Sequence, residues 1–469
     1  MADNGSFFSS NTDASSTTTT AKLRNVLSHP LTGALAQTLL SVIMMGFTKP
    51  RSMLRLAFFP LIVLIAIAHY RTTTFHSWGA VASGLFQAYV SCYPVYYSHY
   101  VLFRRFAFDA GGPSSSHSFT SNNKHNDKSR SNNTSNADTE VRRGSAWSRL
   151  LFGLKVHSYC RYPTTPYEVP NCPHWSDTDE SYAPSRSVYL LRTIALVVSS
   201  LLFMDFQMAF KGLDPNAPVP RGFEVSFFSR LGDLTMTMVA ERLLITPIIW
   251  ISMATGVQII YSVCGLLFVC LGFSEPRQCP PLYGQLSDLY SVRNFWGTVW
   301  HQLIRRFYND PAIFLAHDVL GLPATGLTQR YFKIFVTFFV SGFAHALGDA
   351  AARNVSWAES GCVRFFCTQT VGIIIEDGVQ EIWRRIYGGV DGHGIGLQKG
   401  QKPGSKSIAS KRPRPAVWKR VVGFLWVWAF LAWTTPSWFY PIMSHKRAEL
   451  ERAFPWSVGE RVLGVQRKI

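Results

Sequence analysis

A histidine lies inside a long apolar segment of the chain, where an ionisable side chain has a free-energy cost. The segment runs from Tyr331 to Ala350, and ~20 mainly apolar residues are enough to span a bilayer. Ser341, His345 and Asp349 are spaced four residues apart, so they share one face of a helix. Ionisable side chains at membrane depth usually have a function, so His345 is the first candidate for a chemical site.

Imidazole can take a proton from an alcohol near neutral pH, and apolar surroundings keep the ring uncharged and able to do so. A second histidine, His301, precedes the same apolar segment in the sequence SVRNFWGTVWHQLIRR. As a helix, this stretch would place Gly297, His301 and Arg305 on one face. Two polar groups in a dry cavity suit acyl transfer to an alcohol, since water would hydrolyse the donor. The sequence has no GxSxG motif, so direct transfer without an acyl-enzyme is the simpler mechanism.

The composition indicates that these residues sit in a membrane protein. Of the 469 residues, 47% are hydrophobic and 16% are charged, compared with about 25% charged in soluble domains. The apolar residues form blocks, which predicts an all-α, polytopic membrane protein with about eight or nine transmembrane helices. The net charge of +18 comes mostly from residues between the blocks. We therefore expect contact with lipid head groups and no nucleic-acid partner.

The same blocks divide the chain into parts. Pro247 is expected to kink or break the apolar stretch from Leu234 to Phe273. The polar, Ser- and Asn-rich stretches are expected to be partly disordered. The predicted parts are a disordered tail (1–30), the first transmembrane helices (31–108), a polar loop (109–186), a catalytic transmembrane core (187–440) with a flexible linker (388–415), and a basic tail (441–469).

Three sequence blocks together resemble a known family. Phe295–His301 reads FWGTVWH, Ser341–His345 reads SGFAH, and Gln369–Asp377 reads QTVGIIIED. They resemble the wax synthase-like branch of the membrane-bound O-acyltransferases, in particular fungal members that acetylate terpenoid or meroterpenoid alcohols. The resemblance implies acetyl-CoA or another acyl-CoA as co-substrate, no bound cofactor, a hydrophobic alcohol as acceptor, and a multi-pass location in the endoplasmic reticulum.

The resemblance also assigns roles to single residues. His345 takes the position of the family's catalytic histidine, and His301 takes the second motif position, where plant wax synthases tend to have asparagine. Basic residues such as Arg293, Arg305 and Arg306 are predicted to meet the phosphates of coenzyme A. Four neighbours are weaker, supporting assignments: Gln302, Asp349, Trp296 and Arg293.

Some alternatives remain open at this stage. A long-chain wax ester synthase would share the motifs, and a small-molecule transporter would share the apolar blocks, although the sequence shows no repeated half. A zinc site could be drawn from His157, Cys160, Cys172 and His174, whose spacing is loose, and no metal is predicted. Asn354 begins the only glycosylation sequon that we consider plausible.

Overall fold

The protein is all-helical in the part of the chain that the structure, a computed structural model, describes. Asn354, most of the predicted linker and most of both predicted tails lie outside the described residues, as does the first part of the polar loop. The described residues are 30–72, 80–110, 112–113, 144–212, 234–351, 355–387, 415–445 and 458–463.

The α-helices alternate with short π-helical and 3-10 turns. The π-helical turns are Ser98–Phe103, Phe295–Val299 and Leu315–Val319, and the 3-10 turns are Phe108–Ala110, Pro276–Gln278 and Leu286–Asp288. The α-helices are α1 (Pro30–Phe47), α2 (Leu54–Ala57), α3 (Phe59–Thr72), α4 (Ala80–Tyr97), α5 (Ala146–Ser158), α6 (Arg186–Gly212), α7 (Met236–Cys270), α8 (Val292–Asn294), α9 (Arg305–Phe314), α10 (Leu327–Ala351), α11 (Cys362–Tyr387), α12 (Val417–Thr434), α13 (Pro436–His445) and α14 (Val458–Leu463).

Among the described residues, three helices are long and apolar enough to cross a membrane: α7, α10 and the Arg186–Gln207 part of α6. The pair α12 and α13, bent by 48° at its junction, would add a fourth span. Leu31–Phe47 and Leu54–Tyr70 are shorter apolar helices. Large apolar side chains of α6 face outward, as Leu191 does with 71% of its surface exposed, which fits contact with lipid. The integral membrane character is supported, while eight or nine spans stay a prediction.

Of the kink or break predicted at Pro247, the break is wrong, because α7 runs without interruption through this residue. Proline lacks the N–H that would bond to the carbonyl four residues earlier, which is that of Leu243. The indole Nε1 of Trp428, on α12, donates to this carbonyl at 3.0 Å. A side chain from a distant helix thus replaces the missing backbone donor, and the long helix continues.

Helix α10 lies between two hydrophobic clusters and carries His345 at their boundary. Ala344 belongs to the cluster around Tyr93 and Tyr97, and Ala346 belongs to the cluster around Trp438. Gly342 lets α11 approach closely, since a Cβ there would lie 2.9 Å from the Cα of Val363. The close approach of α11 fixes one wall beside the His345 ring.

The bond between Trp428 and Leu243 can be tested by a double-mutant cycle with Pro247. Trp428→Phe should lower the free energy of unfolding by ~1–3 kcal/mol, because it leaves a carbonyl without a donor in apolar surroundings. Pro247→Ala restores the backbone N–H, so Trp428→Phe should cost much less in that background. The measurement is the thermal midpoint of the four proteins in detergent. Equal losses in both backgrounds would refute this account of the helix.

Candidate active site

One cavity of about 420 Å³ brings the two predicted histidines together. This volume is within the range of ligand-binding pockets. Its walls come from α7, the segment 293–309, α10, α11 and α13. The lining residues include Trp250, Met253, Val257, Arg293, Trp296, Gly297, Trp300, His301, Gln302, Arg305, Arg330, Lys333, Thr337, Ser341, His345 and Trp438.

The ring of His345 is held by its own helix. Its Nδ1 lies 2.7 Å from the carbonyl oxygen of Ser341, one turn earlier. A carbonyl only accepts hydrogen bonds, so Nδ1 carries the proton and the neutral ring keeps its lone pair on Nε2. The ring packs on Phe366 with centroids 4.7 Å apart and meets Trp438 edge-on at 5.3 Å. His345 is therefore oriented as a proton acceptor in the wall of the cavity.

Asp349 acts on this ring through Trp438. The carboxylate accepts from the indole Nε1 of Trp438 at 2.9 Å and from the thiol of Cys362 at 3.1 Å. The indole that it fixes is the one that meets His345 edge-on. Asp349 thus supports the site by fixing Trp438, while the hydrogen bond that directly orients His345 comes from Ser341.

His301 presents a nitrogen with unused hydrogen-bonding capacity. Its Nδ1 is buried and has no hydrogen-bond partner among the described residues. Its ring lies between Trp300, with centroids 5.1 Å apart, and Tyr283 at 6.5 Å. Burial, together with the nearby His345, lowers the pKa of His301 to about 3. The ring is therefore neutral at physiological pH, and a substrate atom is the natural partner for Nδ1.

The stretch that carries His301 is not the continuous helix that was predicted. It forms α8 and a π-helical turn and then becomes extended at Trp300. Gln302 stabilises the turn by donating to the carbonyls of Trp296 and Trp300 and accepting from Arg305 at 3.0 Å. Trp296, Trp300 and His301 all line the cavity as a result, whereas a regular helix would have placed the tryptophans on a different face from His301.

Glu376 fixes the start of this stretch against α11. Its carboxylate accepts from the backbone N–H groups of Val292 and Arg293 and, at 2.8 Å, from the indole of Trp426. A carboxylate at the first N–H groups of a helix is favourable because these groups have no partner within the helix. Gln369, two turns before Glu376 on the same face of α11, accepts from the indole of Trp296 at 3.0 Å.

Four cations line the cavity. Asp377 pairs with Arg293 at 2.6 Å and with Arg330 at 3.1 Å, while Arg305 and Lys333 are the other two. Arg306, which the sequence grouped with Arg293 and Arg305, is outside the cavity lining and donates to the carbonyl of Glu168 at 2.6 Å.

The sequence contained a signal for cavity residues that were not predicted. Arg330, Lys333 and Thr337 line the cavity on α10. Thr337 is one helical turn before Ser341, and Lys333 is one turn before Thr337. Continuing the polar stripe of His345 towards the start of the helix would therefore have found them.

The two histidines of the alternative zinc set bond to other side chains. His157 bonds to the hydroxyl of Tyr89 at 3.1 Å, and His174 pairs with Glu168 at 3.1 Å. Within the described ranges, no group of three or more His, Cys, Asp or Glu side chains is arranged to hold a metal ion.

Comparison with known proteins identifies related sequences. A family model described as the membrane bound O-acyl transferase family matches residues 279–368. Acetyltransferase aurG of Calcarisporium arbuscula is 32% identical over 304 residues, which cover 64% of this chain and 67% of that protein. Acetyltransferase ataH of Aspergillus terreus is 31% identical over 303 residues, covering 63% of this chain and 90% of that protein.

A third relative is matched over a smaller share of its length. Acetyltransferase spyB of Aspergillus fumigatus is 31% identical over 302 residues, which cover 63% of this chain and 48% of spyB. No solved structure is significantly similar to the chain.

The buried state of His301 predicts a pH dependence of stability. The unfolded ring takes up a proton near its ordinary pKa of 6.5, whereas the folded ring stays neutral until about pH 3. Between these values the unfolded chain binds more protons, so the free energy of unfolding falls as the pH falls. His301→Gln removes this contribution and should flatten the loss of thermal midpoint from about pH 7 to about pH 5.

Part of the slope should remain in this variant, because burial also lowers the pKa of His157 to about 4. The check is the thermal midpoint of both proteins in detergent across this pH range. Identical slopes for His301→Gln and the unmodified protein would contradict the burial of this imidazole.

Proposed function

The chain belongs to the membrane-bound O-acyltransferase family, and we propose that it moves an acetyl group from acetyl-CoA to a hydroxyl of a lipophilic natural product, of the terpenoid or meroterpenoid class. The observation that carries this proposal is the orientation of His345. Its Nδ1–H is committed to Ser341, and Nε2 is left as a proton acceptor in a cavity shared with His301. We place the protein in the endoplasmic reticulum membrane as a multi-pass protein.

The proposed step needs one base and one group for the developing oxyanion. The alcohol oxygen attacks the thioester carbonyl carbon while its proton passes to Nε2 of His345. His301, as the tautomer with a proton on Nδ1, donates to the carbonyl oxygen as it becomes negative. The tetrahedral intermediate collapses, the carbon–sulfur bond breaks, and the coenzyme A thiolate takes the proton back from His345. The products are the acetyl ester and coenzyme A.

The cations of the cavity support a phosphorylated donor. Arg293, Arg305, Arg330 and Lys333 bring positive charge to a cavity whose acidic neighbour, Asp377, already pairs with two of them. Guanidinium groups bind phosphate oxygens with charge-assisted hydrogen bonds. We assign the phosphates of coenzyme A to this side of the cavity.

The wall from α7 supports a lipophilic acceptor. Trp250, Met253 and Val257 follow one another at helical spacing on α7 and line the cavity together. Because α7 is long and apolar enough to cross a membrane, this wall offers the acceptor an apolar surface that is continuous with the bilayer. An alcohol dissolved in lipid would thus reach Nε2 of His345 along this wall.

Removal of the base should abolish most of the reaction. The full-length protein in detergent, given acetyl-CoA and a panel of terpenoid alcohols, should release coenzyme A only when an alcohol is present. His345→Ala should lower kcat by at least ~100-fold, the usual contribution of a general base. A thiol reagent follows coenzyme A, and mass spectrometry identifies the acetyl ester.

His317→Ala is the matched control, since His317 bonds to Gln329 at 2.8 Å and does not line the cavity. It should retain activity, and the thermal midpoint of both variants shows whether they remain folded. Unchanged turnover in His345→Ala would remove this residue from the mechanism. Release of coenzyme A without any alcohol would indicate a thioesterase, and preference for long-chain acyl-CoA would favour a wax ester synthase.

A further inference from the structure

Gly297 is a glycine that neither the backbone nor the packing of the protein requires. Its φ is not positive, unlike that of Gly272, Gly321 and Gly326, so any L-residue could adopt its conformation. A Cβ at Gly297 would meet no heavy atom within 4 Å in the part of the chain that the structure describes. A side chain there would extend into open space, and Gly297 is one of the residues that line the cavity.

Glycine has a cost at this position. Gly297 lies in the π-helical turn Phe295–Val299, where glycine is less favourable than alanine because it loses more backbone entropy on folding. A residue with a cost and no role in packing indicates that the space itself is used. A second observation supports a ligand there, since the buried Nδ1 of His301 in the same cavity has no partner among the described residues.

The surroundings of Gly297 are polar and open to water. Its carbonyl accepts from Nδ2 of Asn171 at 2.8 Å in a solvent-exposed hydrogen bond, and from Arg305 at 3.0 Å. Arg293 is one helical turn before it and also lines the cavity. The segment lies between α7 and α10 and outside both of these candidate spans. Gly297 therefore marks an aqueous, positively charged side of the cavity.

We infer that the gap at Gly297 admits the phosphopantetheine arm of coenzyme A, and that this residue determines the affinity for the donor. The inference rests on the proposed acyl-CoA-dependent reaction and adds the place where the donor passes. A thin polar chain with phosphates at its far end suits the open space at Gly297, because Arg293 and Arg305 line the same cavity, whereas the apolar wall of α7 suits the lipophilic acceptor.

Side chains of increasing size at position 297 test this inference. Gly297→Val should raise the dissociation constant of coenzyme A, and the KM for acetyl-CoA, by about tenfold or more, as expected for filling a packed site. Gly297→Ala should raise both by less. The KM for the alcohol should stay unchanged. Binding is followed by the fluorescence of the cavity tryptophans, independently of turnover.

A structural role and a donor-binding role give different results for stability. If Gly297 only leaves space for the donor, Gly297→Ala should keep or raise the thermal midpoint; a fall in both variants would overturn the inference. Gly256→Val is the matched control, because Gly256 also has open space around its Cβ position, lies within α7 and does not line the cavity. It should leave coenzyme A binding unchanged.

Three further results would overturn the inference. They are coenzyme A affinity in Gly297→Val equal to that in Gly256→Val, a raised KM for the alcohol instead of the donor, and no binding of coenzyme A by the unmodified protein. If coenzyme A binds in a manner that depends on Gly297 but no alcohol is acetylated, the proposed reaction fails and the donor site stands.

Discussion

The site depends on the hydrogen bonds that the buried carboxylate of Glu376 accepts. It accepts from the first N–H groups of α8 and from Trp426, and so joins three separate parts of the chain. Without this acceptor, the N–H groups of Val292 and Arg293 would be buried or half-buried without a partner, which is costly in apolar surroundings. The segment that carries Gly297 and His301 therefore has a fixed start, and its position relative to α11 is set.

The second constraint is the packing of α10 against α11. Gly342 permits the close approach. The backbone carbonyl of the preceding residue, Ser341, accepts a hydrogen bond from His345. Two independent interactions thus position the two imidazoles. The carboxylate of Glu376, distant in sequence, fixes the segment that carries His301, and the nearby backbone carbonyl of Ser341 orients His345. Both rings meet the same cavity, and each keeps one nitrogen available to a substrate.

The cavity has two chemically different kinds of lining, and this division agrees with a reaction between a charged donor and a lipophilic acceptor. Arginine and lysine side chains from the segment 293–305 and from α10 line the cavity, and the aromatic and aliphatic side chains of α7 line it as well. Asp377 moderates the positive charge by pairing with two of the arginines. A protein that joins a water-soluble thioester to an alcohol dissolved in lipid needs such a division, because the two substrates come from different solvents.

The sequence alone determined the helical, membrane-embedded class of the protein, the polar stripe that contains His345, and the family. A helix forms through hydrogen bonds within one segment, so the apolar blocks and the spacing of four residues in that segment are enough to predict it. Tertiary structure alone decided that α7 continues through Pro247, that the helix around His301 breaks at Trp300, and that Arg306 lies outside the cavity. Each of these outcomes depends on a hydrogen bond to a residue distant in sequence or on the tertiary packing around it, and the periodicity of a single segment contains no information about that partner.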